Sequence, residues 1–139
     1  MWQQNIIQLS AMGRGFHLIT NQVIQQCPQI HNLDVGLLHL FLQHTSASIT
    51  VNENADPTVR YDLEQHFNRF VPEDAPYYQH DYEGSDDMPA HIKSTTIGCE
   101  LTLPIRDGQL ALGTWQGIYL CEHRNQSGGR RLIATIQGQ

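Results

Sequence analysis

The apolar pattern changes phase between residues 37 and 53, and this constrains the fold more than any other feature. Leu38, Leu40 and Leu42 occupy even positions, whereas Ala47, Ile49 and Val51 are odd. Successive side chains of a strand point to opposite faces, so a slip of one residue flips all of them. One regular strand cannot bury both sets against the same core. The backbone must bulge or turn between Gln43 and Ala47, and His44 sits at that break. Beyond it, Ser46, Ser48, Thr50 and Asn52 share the polar face.

Similar alternation predicts strands over Trp2–Leu9, Phe16–Ile19, Leu37–Gln43 (apolar on both sides, hence central), Cys99–Ile105, Gln109–Glu122 and Arg131–Gln137. Asp107-Gly108 supplies hairpin chemistry between two of them. Thr20 can cap a helix over Asn21–Gln26 that ends before Pro28. Asp56-Pro57 starts a second helix, with Asp as N-cap and Pro at the first helical position, and Val59, Leu63, Phe67 and Phe70 form its core-facing stripe. A third, short helix runs from about Met88 or Pro89 to Thr95. The total is seven or eight strands and two or three helices, an α+β chain.

With 139 residues there is room for one core, hence one domain over 1–139. Hydrophobic residues at 40% against 16% charged exclude a disordered chain. No apolar run approaches the ~20 residues of a membrane span, and Met1-Trp2-Gln3-Gln4 does not begin like a signal peptide. A net charge of −6 argues against nucleic acid as a partner. Three cysteines (Cys27, Cys99, Cys121) without C-x-x-C spacing fit a reducing compartment, so a cytoplasmic protein is expected.

Eight histidines are many for this length, and Lys93 is the only lysine. His44, His91 and His123 each lie at the edge or break of an element. Brought together, they would offer a divalent ion three nitrogens and leave one position open, as in catalytic zinc sites. No local spacing motif demands this; separately hydrogen-bonded rings are the plain alternative. His17, His31, His39, His66 and His80 read as structural or exposed. Segment 71–87 carries six acids and no Lys or Arg. Glu83, Asp86 and Asp87 offer hard oxygen ligands of the kind Mg²⁺ prefers, although a charge run in a loop is more often solvated.

Lys93 and Ser94, with Arg124 elsewhere, are candidate phosphate contacts. In a helix, however, His91 and Lys93 would stand about 200° apart. Asn52, Glu53 and Asp56 lie at a strand-to-helix joint; Asp56 has a job as N-cap, which leaves Glu53 as a candidate general base. Gly113 and Gly117 flank Thr114, Trp115 and Gln116, clearing space for a close approach, either by a ligand or to seat Trp115 in the core. Strand parity puts Trp115, Tyr119, Cys121 and His123 on one face and Glu122 on the other. Cysteine and serine nucleophiles are disfavoured, there being no G-x-S-x-G and Cys121 sitting mid-strand.

The strings His44-Thr45-Ser46-Ala47-Ser48-Ile49-Thr50-Val51-Asn52-Glu53-Asn54-Ala55-Asp56-Pro57, Pro89-Ala90-His91-Ile92-Lys93-Ser94 and Gly113-Thr114-Trp115-Gln116-Gly117, with Glu122-His123-Arg124, resemble the YjbQ family, whose members carry the label secondary thiamine-phosphate synthase. The resemblance spans about residues 5–137. It implies an α+β domain of mixed or antiparallel sheets that assembles as a homotrimer, with a metal-binding cleft lined by the histidine-bearing strings. The implied protein is a metal-dependent enzyme (Zn or Mg) acting on a phosphorylated small molecule, such as a thiamine-phosphate synthase. In that picture His44, His91 and His123 hold the metal, and Glu53 or Glu122 moves protons. Asn52, Lys93, Ser94, Thr114, Trp115, Gln116 and Arg124 bind substrate. A zinc-type hydrolase and a non-catalytic metal- or ligand-binding trimer are the alternatives.

Overall fold

The computed structural model describes residues 1–139. In chain order the elements are β1 (Trp2–Leu9), β2 (Gly15–Leu18), α1 (Thr20–Gln26), a 3-10 turn (Pro28–Asn32), β3 (Val35–Leu42), β4 (Ala47–Glu53), α2 (Pro57–Phe70), α3 (Asp87–Ile97), β5 (Glu100–Arg106), β6 (Gln109–Leu110), β7 (Gln116–Glu122) and β8 (Arg130–Gly138). Every strand pairing is antiparallel. β1-β8-β3-β5-β6 form a five-stranded sheet and β2-β7-β4 a three-stranded one.

The phase change at His44 is the point where the chain passes from one sheet to the other. Leu38, Leu40 and Leu42 of β3 and Ala47 and Ile49 of β4 belong to one buried cluster of 19 residues between the two sheets. Each strand turns its apolar set inward from its own side, which is why the parity must switch. The other face of the three-stranded sheet presents Phe16, Tyr119 and Cys121, and Leu63 and Phe67 of α2 and Ile97 of α3 pack on them. The layers therefore run five-stranded sheet, three-stranded sheet, then α2 and α3, while α1 and the 3-10 turn place Val23 and Ile30 in the cluster between the sheets. The outer face of the large sheet has no cover: Trp2, Ile6, Val35, Leu37 and Phe41 stay exposed there.

Four local expectations are corrected. Thr20 is not a cap: the N-cap is Ile19, and the Thr20 hydroxyl instead accepts from Ile118 N–H at 2.9 Å, tying α1 to β7. The α2 stripe stops short, since Phe70 is 64% exposed beyond the edge of the sheet. β3 is central but apolar-buried on one side only, its odd residues lying on the uncovered face. The span Gln109–Glu122 is two strands, interrupted over 111–115. Other signals hold as read. Asp56 accepts from Thr58 N–H at 2.9 Å at the start of α2, and Asp107 and Gly108 both take positive φ (53° and 76°), the requirement of a two-residue hairpin turn.

Candidate metal centre

Five consecutive residues after the sheet crossover each hold a different part of the chain. His44 Nε2 accepts from Arg131 N–H at 2.9 Å. Thr45 C=O accepts from His91 Nδ1–H at 2.9 Å. Ser46 takes Arg130 through both its hydroxyl and its carbonyl, at 3.1 and 3.3 Å. Ala47 C=O accepts from the Ser94 hydroxyl at 2.8 Å, and the Ser48 hydroxyl meets His123 Nε2 at 2.8 Å. This segment collects the three histidines into one region yet gives each ring a separate partner. The set His44, His91 and His123 is not among the ligand groups whose atoms gather within 4.8 Å of one another.

A different group does converge. His80, Asp87 and His91 place one potential ligand atom each within 4.8 Å of one another. His80 Nε2 lies 2.7 Å and His91 Nε2 3.2 Å from the same oxygen, Asp87 Oδ2. Asp87 is buried, whereas both imidazoles are about one-third exposed, so the group has a dry floor and an open side. Asp87 and His91 are four apart in α3 and therefore stack on one helix face. His80 arrives from the acidic loop, its ring against Tyr82 and His91.

The tautomer of His91 tests whether a cation fits. A carbonyl can only accept, so the bond to Thr45 fixes the hydrogen on Nδ1. Nε2 then faces a carboxylate oxygen either as a lone pair or as a second N–H. A cation or a proton has to lie between them. Metal-ligating histidines characteristically donate their other N–H to a backbone carbonyl in this way. The residues present fit a divalent ion.

Behind the group, Arg124 is held through all three of its nitrogens. Its Nε donates to Asp86 Oδ2 at 2.8 Å, Nη1 to Asp87 Oδ1 at 2.6 Å and Nη2 to Glu83 C=O at 2.8 Å. Burial pushes the Asp87 carboxyl up, but the His80 hydrogen bond and the charges of His91 and Arg124 outweigh it and hold the group below its ordinary range. Asp86, also buried, behaves alike through the Asn125 N–H and Arg124. These two acids are thus not solvated; the loop folds inward around a guanidinium. Arg124 is a loop anchor, with three of its five N–H groups and its charge already paired inside the fold.

The remaining candidates disperse. Glu122 is wholly buried, and its carboxylate accepts from Arg130 Nε (2.7 Å) and Nη2 (2.5 Å), the Ser127 hydroxyl (2.6 Å) and Arg124 N–H (3.1 Å). With its lone pairs taken it is not a free base. Lys93 is 1% exposed, on the opposite side of α3 from His91, and donates to Asn68 Oδ1 at 2.8 Å, an oxygen it shares with Arg14. Ser94 is buried on Ala47. Asn52 Oδ1 accepts from Glu53 N–H, while Glu53 buries Oε2 without a partner. Trp115 does not pack in the core but is 64% exposed, and the Thr114 and Gln116 carbonyls accept from Asn54 Nδ2.

The strand register separates these residues into two ends. Ala47 opposes Glu122 at one end of the β4–β7 pair and Glu53 opposes Gln116 at the other, six residues away, or about 20 Å. His91 and Arg124 sit at the first end, Asn52, Glu53, Thr114, Trp115 and Gln116 at the second. Sequence reading passed over His80 because it stands in a loop with no neighbouring ligand motif. The available signal was the pair Asp87 and His91, four apart on a helix.

Comparisons with known proteins agree over the whole chain. The family model described as UPF0047 protein YjbQ-like matches residues 5–139. The UPF0047 protein YjbQ of Escherichia coli O157:H7 is 55% identical, and that of Salmonella typhimurium 57%, each over 100% of both chains. Among solved structures, a YbjQ-like protein of unknown function from Sulfolobus solfataricus P2 superposes with a TM-score of 0.87 at 26% identity, covering 100% of this chain and 99% of its own. An uncharacterized conserved protein of the yjbq/upf0047 family from Clostridium acetobutylicum gives 0.77 at 32% identity, covering 97% of each. With its strings, its sheets and its full length all matched, the chain belongs to the UPF0047 (YjbQ-like) family.

Proposed function

We propose that the protein is a divalent-metal-dependent enzyme whose metal is held by His80, Asp87 and His91, and that it acts on a phosphorylated small molecule by hydrolysis. The observation that carries this reading is the meeting of two imidazoles on one buried carboxylate oxygen. A divalent ion bound there would supply Lewis acidity to a phosphoryl or ester oxygen. The chain's own residues do the rest of the positioning. Thr45 sets the His91 tautomer, and Arg124 holds the second Asp87 oxygen so that Oδ2 stays aimed at the open side. Hydrolysis is favoured over condensation of two phosphorylated substrates because Lys93 is buried on Asn68 and the charge of Arg124 is already paired with Asp86 and Asp87. Thiamine-phosphate synthesis would also need the aromatic end of the sheet, which one chain keeps about 20 Å from the metal group. A homotrimer is part of the same proposal, supported by the uncovered apolar face of the large sheet.

Titration with Zn²⁺, Mn²⁺ or Mg²⁺, read by calorimetry and melting temperature, tests the metal site. One equivalent per chain should bind, and at a hundredfold excess over Kd the folded state gains about 2.7 kcal/mol. Chelation should reverse the gain, and Asp87→Asn should abolish it. Binding that survives Asp87→Asn and His80→Ala would place the metal elsewhere. Release of phosphate from a panel of phosphate esters by the loaded protein, lost in His91→Ala, tests the reaction.

A further inference from the structure

At the other end of the three-stranded sheet, far from the metal group, the end of β2, the start of α1 and the β4–α2 joint enclose an open cleft of about 580 Å³. Its polar lining is Thr20, Asn21, Gln22, Asn54 and Gln116, with Leu18 and Ala55 at its sides. No Asp, Glu, Lys, Arg or His lines it, in a chain carrying 22 Asp, Glu, Lys and Arg residues in all. The volume is that of a small-molecule site.

The hydrogen-bonding capacity left over is of one kind. Asn54 spends Nδ2 on the Thr114 and Gln116 carbonyls, which leaves Oδ1 open. Gln116 spends Oε1 on Gly113 N–H, which leaves its Nε2 donors. Thr20 accepts from Ile118 N–H and keeps its hydroxyl proton. Asn21 and Gln22 are exposed on the first turn of α1. Neutral donors and acceptors thus alternate around the cleft. Gly117 keeps its wall close: a Cβ there would meet Leu18 Cδ2 at 2.6 Å and Asn54 Cβ at 3.0 Å. Trp115, next to Gln116 in the chain but outside the lining, is 64% exposed, and its carbonyl accepts from Asn54 N–H at 2.8 Å.

We infer that this cleft binds a neutral sugar. A charged ligand would lose hydration and meet no counter-charge. An apolar ligand would strand the amides without partners. A pyranose ring suits this lining: its hydroxyls both donate and accept, as the Asn and Gln amides require, and its C–H face can rest on Leu18 and Ala55 at the sides. The inference does not depend on the metal group; the two sites share no residue.

The test is titration of ¹⁵N-labelled protein with methyl glucoside, methyl galactoside, methyl mannoside, maltose and cellobiose, with uridine and glucose 6-phosphate as contrasting probes. At least one neutral sugar should shift the side-chain amide signals of Asn21, Gln22, Asn54 and Gln116, with a Kd of roughly millimolar order. Asn21→Ala and Gln22→Ala, both at exposed positions of the lining, should each weaken binding by roughly fivefold while leaving the melting temperature unchanged. Silence with all five sugars, or shifts produced only by uridine or glucose 6-phosphate, overturns the assignment. So do sugar-induced shifts that both substitutions leave intact.

Discussion

Glu122 and Arg130 stand side by side with almost no access to water. Burial pushes the Glu122 carboxyl up, but Arg130, the Ser127 hydroxyl and the Arg124 N–H overcome it and keep the group below its ordinary value. Removing one partner of such a pair leaves a charge in a dry environment. Arg130→Leu should therefore cost about 3–5 kcal/mol in urea unfolding, and adding Glu122→Leu should recover most of it. His123 makes the opposite case. Burial first, then the charges of Lys93, Arg14 and Arg130 against that of Glu122, lower it from 6.5 to about 3. The ring is neutral in the fold, so between pH 6.5 and about 3 only the unfolded chain takes up the proton. The ring's contribution should be flat well above pH 6.5 and fall on acidification at up to about 1.4 kcal/mol per pH unit. His123→Gln should flatten that slope in urea melts between pH 7 and 5; an unchanged slope would mean the ring is not what titrates. Both residues were singled out for chemistry from their position at the end of a strand. Their environments, which no spacing encodes, give them structural work instead.

The elements that could be read were those whose signals are local. Asp56-Pro57 opens α2 because a cap and a fixed φ act over three residues, and Asp107-Gly108 makes a hairpin because positive φ is a property of the turn itself. β4 was legible through its alternation, and the break at His44 through its parity. Thr20 was not, since a hydroxyl before a helix is the same text whether it caps that helix or accepts from a strand distant in sequence. The interruption between β6 and β7 was hidden for a related reason: β6 pairs only with Ile105 and Arg106 at the end of β5, and β7 then joins another sheet. Gly117 marks the packing of β7 against β2 and the β4–α2 joint. Gly117→Ala should cost about 1–3 kcal/mol, less if Leu18 swings aside, as thermal or urea unfolding would show. A neutral effect would mean the wall of the cleft is loose.

Over the whole molecule, the layered arrangement leaves one sheet face bare. No helix of the chain is long and apolar enough to cross a membrane, and five large apolar residues lie on that face. If copies of the chain cover it, as in the proposed homotrimer, light scattering should give three times the chain mass. Leu37→Glu with Phe41→Glu should then yield monomer. A wild-type monomer at micromolar concentration would remove the trimer from the proposal. Alternation, caps and turns follow from covalent geometry and short-range sterics, and these made the α+β class and nearly every element readable from the chain. Which imidazoles meet, and which cations remain free, depended on how loop 71–86 folds back. It brings His80 to Asp87 and His91, and its acids consume Arg124. Such pairings lie between residues remote in sequence, and their energy comes from shared burial, so they arise only once the two sheets and the helices have packed.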